Sequence, residues 1–145
     1  MRLTAKSEYG LLALIDLACE GQGAPVSARE IAERQSIPTK FLEQLFVALR
    51  RAGIVTARRG AKGGFVLERD PARITVLDIV EALEGPLAPT VCEGDTACAK
   101  SPMCAASTVW GRATRALRDV LGSTTLADLA QVQTAMGSRG TVAER

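Results

Sequence analysis

Three cysteines, Cys92, Cys98 and Cys104, are spaced C-x5-C-x5-C in a chain of 145 residues that contains no histidine. The segment around them, residues 86–104, is punctuated by Pro86, Pro89, Gly94 and Pro102 and carries Glu93 and Asp95 between the first two thiols. Thiols recurring in a polar, loop-like stretch are poor core residues and read as ligands or redox groups. Three thiolates are one ligand short of a four-cysteine zinc site or an all-cysteine cluster. Zinc would need Asp95, Glu93 or another carboxylate as its fourth ligand, and structural zinc sites favour tighter C-x2-C pairs. The five-residue gaps form a wider loop, so an iron–sulfur cluster is the leading reading. A thiol redox switch and purely structural thiols stay open. The missing histidine removes imidazole-rich metal sites and most general-base catalysis. No nucleophile is paired with a base either, so an enzyme is not expected.

The elements that must carry this loop are read from periodicity and from start and stop signals. A first helix is expected over Lys6–Glu20, with Leu11, Leu12, Leu14, Ile15, Leu17 and Ala18 as its apolar face and Gly21-Gln22-Gly23 ending it. Cys19, within it, reads as a small buried hydrophobe. Ser27-Ala28-Arg29-Glu30 is a capping box that opens a short helix to Gln35, with Ile31 and Ala32 inward. After the break at Ser36-Ile37-Pro38, a third helix runs over Thr39–Ala52, with Phe41, Leu42, Leu45, Phe46 and Leu49 at helical spacing and Gly53 as its stop. Thr75 and Asp78 open another helix, Val76–Glu84. Beyond the cysteines a long helix is expected over Ala105–Leu121, capped by Gly122, with Val109, Ala113, Ala116, Leu117, Val120 and Leu121 as one stripe. A short last helix then passes through Leu126, Leu129 and Val132, and residues 136–145 are expected to be a disordered tail.

Two short helices joined by a tight turn form a helix-turn-helix pattern, which is weak alone. The next segment of chain strengthens it. Ile54–Arg58 and Phe65–Leu67 read as strands joined by Arg59-Gly60-Ala61-Lys62-Gly63-Gly64, a glycine-rich basic hairpin of the kind that serves as a wing. A phosphate-binding loop is disfavoured there, because the G-x4-G-K-[ST] order is absent and the segment joins strand to strand, and a merely solvated basic hairpin is the blander alternative. The fold class is therefore mainly α: a winged helix-turn-helix with a small β-hairpin wing and a long C-terminal dimerisation helix. Its parts are a DNA-binding domain over 1–85, a cysteine loop over 86–104, dimerisation and terminal helices over 105–135, and the tail. The recognition helix would present Thr39, Lys40, Glu43 and Gln44 to the groove, Glu43 accepting from a cytosine amino group and Gln44 pairing with adenine. Glu43 could instead be a surface partner of nearby basic residues. Arg50 and Arg51 would touch phosphate, and Arg58, Arg59 and Lys62 would reach phosphates or a minor groove.

Composition agrees with this reading. The hydrophobic fraction is 47% and the aromatic fraction 3%, which suits a helical core of Leu, Ile, Val and Ala. The net charge of +2 is uninformative, but its distribution is not. Residues 1–70 hold 11 Lys/Arg against 8 Asp/Glu, and five basic residues with no acidic one fall between Arg50 and Lys62. That is the footprint of a phosphate-backbone contact. No stretch approaches a membrane span and no signal-peptide layout is present, so a cytoplasmic chain with reduced thiols is expected. The stripe of the long helix has no evident cover in its own chain, which points to a homodimer on a double-stranded DNA operator.

Taken in order, the carriers Met1-Arg2-Leu3-Thr4 with Tyr9 and Ala13, Phe41-Leu42-Glu43-Gln44-Leu45-Phe46, Leu49-Arg50-Arg51-Ala52-Gly53-Ile54-Val55, Arg59-Gly60-x-x-Gly63-Gly64-Phe65, the cysteine triad with Trp110, and Thr125-Leu126-Ala127-Asp128-Leu129 resemble the Rrf2 family of winged-helix, iron–sulfur regulators. The resemblance covers about residues 1–129. It implies a dimer built on the long helix, a cluster held between the cysteine loop of one subunit and the first helix of the other, and DNA binding governed by that cluster. Cys92, Cys98 and Cys104 carry over as ligands. The IscR-like branch has a histidine three residues after the last cysteine, where this chain has Ser107. The NsrR-like branch uses a carboxylate early in the first helix, which here is Glu8. Glu8, supplied across the dimer, is thus the candidate fourth ligand, against its reading as a solvated first-turn carboxylate favoured by the helix dipole; Asp95, Glu93, water or a small thiol are rivals. A 4Fe–4S cluster is favoured over 2Fe–2S, since three thiolates around one distinct iron suit a cube. The implied function is a repressor governing iron–sulfur cluster assembly or iron homeostasis; the alternatives are a nitric oxide or redox sensor and a cluster-free zinc- or thiol-containing regulator.

Overall fold

The computed structural model describes residues 3–88 and 103–139; Cys92, Cys98, Glu93 and Asp95 lie outside the described residues. The order of elements is α1 (Ala5–Asp16), a wider π-helical turn (Leu17–Gly21), α2 (Ala28–Gln35), α3 (Thr39–Arg51), β1 (Val55–Arg58), β2 (Gly64–Leu67), a 3-10 turn (Pro71–Arg73), α4 (Val76–Glu84), α5 (Ala105–Ser123) and α6 (Leu126–Arg139). The two strands are antiparallel, Val55 opposite Leu67 and Arg58 opposite Gly64. The fold is the mainly α, winged helix-turn-helix arrangement expected from the sequence.

Side chains that satisfy free amides set where the helices begin. The Ser27 hydroxyl accepts from the Glu30 amide at 3.1 Å while the Glu30 carboxylate accepts from the Ser27 amide at 2.9 Å. Thr75 and Asp78 repeat the exchange at 3.0 Å in each direction. Thr125 and Asp128 do so at 2.9 and 3.1 Å. The backbone and side-chain hydrogen bonds from Ser27 hold Glu30 below the usual carboxylate range, and those from Thr125 do the same for Asp128. Between α2 and α3, Ser36 takes the left-handed conformation (φ 54°) and the Ile37 amide donates to the Ala32 carbonyl at 3.0 Å. Ile37 is thereby tucked into the core and α3 is turned away from α2.

The core is aliphatic, with Phe46 as its largest fully buried side chain. Leu14 from α1, Ile31 from α2, Leu42 and Leu49 from α3, Ile54, Ile74 and Ile79 join it. Leu126, at the head of α6, is also fully buried. Its amide donates to the Ile74 carbonyl at 2.8 Å, and the Val76 amide donates to the Thr124 carbonyl at 2.9 Å. The C-terminal region is therefore stitched into the DNA-binding unit rather than appended to it.

Several expectations need correction. The first helical run continues to Gly21 as expected, with its last turn π rather than α, but Cys19 in that turn is half-buried, its sulfur 3.7 Å from the Ala130 carbonyl of α6. Leu12 is exposed, because the face of α1 that packs is narrower than its apolar content. Helix α5 runs through Gly122 to Ser123; inside a helix a glycine need not be a stop, and here it lies against Leu77. The long stripe on α5 divides in two. Leu117 and Leu121 are half-buried, with α5 lying against α4, whereas Val109, Ala113, Ala116 and Val120 are exposed. Helix α6 reaches Arg139, past position 136 where the tail was expected to begin, because Thr125 and Asp128 start it firmly and only Gly137 interrupts its helix formers.

Asp16 interrupts the apolar run of α1 and is buried. Its carboxylate accepts from Arg34 Nε at 2.9 Å, Arg34 Nη2 at 2.6 Å and Gln35 Nε2 at 2.9 Å. This fork pins α2 to α1. Its partners are unequally exposed: the Asp16 side chain keeps 2% of its surface and that of Arg34 38%. Arg34→Ala leaves a buried carboxylate with one amide partner and is expected to lower the unfolding free energy by about 3 kcal/mol. Asp16→Ala leaves a guanidinium that can turn to water and is expected to cost about 1 kcal/mol. Urea denaturation of both variants checks the order; equal or reversed costs would contradict it.

Candidate nucleic-acid interface and thiol site

Two surfaces carry the residues singled out by the sequence. On α3, Leu42, Leu45, Phe46 and Leu49 point into the core, leaving Thr39, Lys40, Glu43, Gln44, Arg50 and Arg51 exposed on the opposite side. Pro38 precedes the helix with no side-chain cap, so the first amides of α3 have no capping side chain. On the hairpin, Arg58, Arg59 and Lys62 are exposed. Neither these six cations nor Glu43 enters an ion pair among the described residues. The result is a face with six cations and one carboxylate. Val47 is exposed on the same side of α3. It escaped the sequence reading because a valine in an amphipathic helix is expected to be inside.

The hairpin is held at a fixed place beside α3. Phe65 stacks on Phe46, with centroids 4.4 Å apart and planes 8° from parallel. Phe65 also exchanges two backbone hydrogen bonds with Val26, of 2.8 and 3.0 Å, so the chain leading into α2 extends the hairpin's pairing. At Gly64 this approach is so close that a Cβ would fall 2.5 Å from the Val26 carbonyl. At the tip, the Gly63 amide donates to the Gly60 carbonyl at 2.9 Å, and a Cβ on Gly63 would sit 2.4 Å from the Arg58 carbonyl oxygen. The two glycines allow a tight tip flanked by arginines.

Of the expected metal ligands, Cys104 and Glu8 are described. Cys104 is half-buried at the N-cap of α5, where its carbonyl accepts from the Ser107 amide at 3.1 Å and the Ser107 hydroxyl at 2.7 Å. Ser107 thus turns its hydroxyl back onto the first turn of α5. Glu8 is exposed in the first turn of α1 and makes no side-chain hydrogen bond or ion pair among the described residues. Glu8 is exposed and Cys104 half-buried, and a set of thiolates with one carboxylate suits an iron–sulfur cluster or zinc. No group of three or more candidate ligands occurs among the described residues, which leave out Cys92 and Cys98.

A cluster of bonds that the sequence did not reveal joins the supports of these two donors. The Glu84 carboxylate, at the end of α4, accepts from the Thr4 amide at 3.0 Å, the Thr4 hydroxyl and the Ser7 hydroxyl at 2.9 Å. One turn earlier, Glu81 Oε1 accepts from the Leu87 amide at 3.1 Å and from Arg118 of α5 at 3.0 Å.

A family model, Rrf2, described as an iron-dependent transcriptional regulator, matches residues 3–132. The chain belongs to the Rrf2 family. Protein rrf2 of Nitratidesulfovibrio vulgaris is 43% identical over 130 residues, which is 89% of this chain and 87% of that protein. The HTH-type transcriptional regulator IscR of Xenorhabdus nematophila is 37% identical over 133 residues, 92% of this chain and 81% of the relative. Among solved structures, CymR, the global cysteine regulator of B. subtilis, superposes with a TM-score of 0.78 at 39% identity, covering 91% of this chain and 98% of its own. IscR of T. potens gives 0.75 at 35% identity, covering 100% and 94%. This Rrf2-family member is a DNA-binding transcriptional regulator, not an enzyme. No helix among the described residues is long and apolar enough to cross a membrane.

The Glu84 clamp has a pH signature. Burial opposes its ionisation, but the hydrogen bonds from Thr4 and Ser7 outweigh burial and hold the carboxyl below its ordinary value of 4.5. A carboxylate with a lowered folded pKa stabilises the fold fully above its unfolded pKa, and that contribution fades as pH falls through the folded value. Glu84→Gln is therefore expected to be less stable than the parent at pH 7 and to lose less on acidification, the two curves drawing together as pH falls below the ordinary carboxylate range. Thermal melts across this range check it; parallel curves would remove Glu84 as the linked group.

Proposed function

We propose that this Rrf2-family regulator is a homodimeric repressor whose DNA binding is controlled by an iron–sulfur cluster, with iron–sulfur cluster assembly or iron homeostasis as its target process and the cytoplasm as its place of action. The observation that carries the reading is the triad Cys92, Cys98 and Cys104 leading into the head of α5, in a chain matched over residues 3–132 by a family described as iron-dependent. These three thiols would hold the cluster, with Glu8 of the second subunit as the fourth ligand and 4Fe–4S favoured over 2Fe–2S. Such a cluster would supply iron chemistry sensitive to oxygen or nitric oxide, with Glu8 as a weaker-binding holder than the three thiols. The exposed residues Val109, Ala113, Ala116 and Val120 recur along one side of α5 at the spacing of a helix-packing seam and would meet the same residues of the second copy. A second reading, thiol-based sensing without a cluster, draws support from the likeness to CymR, the global cysteine regulator.

The DNA-facing surface is then the exposed side of α3 together with the wing. Thr39, Lys40, Glu43 and Gln44 would face base edges; Arg50, Arg51, Arg58 and Lys62 would contact phosphate; Arg59 would sit in a minor groove or on the backbone. Arg59→Ala is expected to weaken binding to all duplexes about equally and to reduce the slope of log affinity against log salt by about 1. Fluorescence titration at several salt concentrations measures this; an unchanged slope would place Arg59 off the DNA.

The cluster is tested on anaerobically purified protein by iron, sulfide and zinc content with the visible spectrum, for the parent, Cys98→Ala and Glu8→Ala. Iron and sulfide in near-equal amounts are expected, abolished in Cys98→Ala and retained with an altered or more labile spectrum in Glu8→Ala. Zinc alone, or no metal under anaerobic conditions, would reject the cluster. DNA binding that still responds to oxidant in such metal-free protein would establish the thiol reading. A Glu8→Ala spectrum identical to the parent in form and lifetime would reject Glu8 as ligand.

A further inference from the structure

The exposed arc of α3 contains one large apolar side chain. Val47 keeps 51% of its surface on an otherwise polar face. With about 100° of rotation per residue, Thr39, Arg50 and Glu43 lie on one flank of Val47, and Lys40, Arg51 and Gln44 on the other, which puts the valine near the middle of the arc. Lys40, Glu43, Gln44 and Val47 are spaced i, i+3, i+4 and i+7, the set a helix lowers into a groove along one line. A valine exposed to this degree adds little to the core, since the buried Leu45 and Leu49 lie on the opposite side of the helix.

Base edges in a major groove are hydrogen-bonding groups with one exception, the C5-methyl group of thymine. Charged or amide side chains cannot use that methyl, whereas a valine gains by covering it. Its branched carbon fills the gap without a polar atom that would need a partner. We infer that Val47 is a specificity-determining residue of this regulator, one that reads the methyl group of a thymine in each half-site and so rejects the other three bases and deoxyuridine at that position. The inference rests on α3 being the DNA-reading helix and deepens that reading. It adds an apolar contact to the polar ones from Glu43 and Gln44.

The test uses the full-length, anaerobically purified chain and a random-sequence duplex library. After selection with the parent protein, each thymine of the enriched duplex is replaced in turn by deoxyuridine, which differs only in lacking the methyl. Binding is expected to fall about fourfold at one thymine per half-site, the worth of one buried methyl(ene) group. Val47→Ser should bind thymine and deoxyuridine equally there, with the other positions unchanged. Val47→Thr, which keeps one of the two methyl groups, should recover part of the preference. Because the side chain is exposed, thermal melts of both variants should match the parent. Absence of any deoxyuridine-sensitive position in the parent, or a preference undiminished in Val47→Ser while the duplex still binds, would overturn the inference and leave α3 as the reader. Failure of the parent to enrich any duplex would overturn both.

Discussion

The last turn of α4 ties together the start of α1, the chain leaving α4 and the flank of α5. Two carboxylates one turn apart leave it in different directions. Glu84 gathers the amide and hydroxyl of Thr4 and the hydroxyl of Ser7, so the start of α1 is tied to the end of α4. Glu81 divides one oxygen between the amide of Leu87 and the guanidinium of Arg118. It thereby fixes both the chain leaving α4 toward the cysteine segment and the flank of α5. Leu87 is itself buried, so this exit is packed as well as hydrogen-bonded. Glu8 stands beside the first of these ties, and Cys104 heads the helix held by the second. The positions of both donors relative to the core descend from one helical turn.

The reading surface depends on a different constraint, the seating of the hairpin. A basic hairpin on a flexible stalk would bind phosphate without register. Here the Phe46–Phe65 stack, the Val26–Phe65 pairing and the close approach at Gly64 leave little freedom for the strands relative to α3. Arg58 and Arg59 consequently have a set place with respect to Lys40, Glu43 and Val47, and such fixed spacing lets phosphate contacts position a helix whose other side chains read bases. The buried Asp16–Arg34–Gln35 fork supports the same geometry from behind, by pinning α2 to α1.

Most of this architecture was legible in the sequence, for identifiable reasons. Helix starts at Ala28 and Val76 were set by local capping chemistry, which acts within four residues and shows in the sequence as Ser27…Glu30 and Thr75…Asp78. The hairpin was legible because its glycines answer steric needs that no other residue meets. Helix ends were harder. Gly122 looked like a stop because glycine so often is one, but tertiary contact with Leu77 and the pairing of Thr124 with Val76 carried α5 to Ser123. Asp16, Glu81 and Glu84 were opaque for another reason: their partners lie far away in the chain, and nothing local marks a carboxylate as buried or clamped. Val47 was hidden by its type, since the periodicity of α3 does not say which apolar residue falls outside. The cysteine spacing and Glu8 were legible as chemistry, and their assignment as ligands rests on that chemistry together with the family.

The two surfaces are joined by a short path. Glu8 is followed by Tyr9, whose ring meets Phe41 edge-on with centroids 5.7 Å apart. Phe41 lies between Lys40 and Leu42 in the first turn of α3. Helix α1, which carries Glu8 and Tyr9, is tied by the Glu84 clamp at one end and the Asp16 fork at the other. Between these ties, the Tyr9–Phe41 contact links α1 to the start of α3. A packed interior yields by small rigid shifts of elements rather than by local softening. A tilt of α3 about its buried Leu45 and Leu49 would displace Lys40 and Thr39 most and Arg50 least, because the first turn is farthest from the pivot. With α3 reading DNA and Glu8 serving the cluster as proposed, contacts made by Thr39 and Lys40 would shift more than those made by Arg50, and a signal at the thiol site would then alter sequence preference as well as affinity.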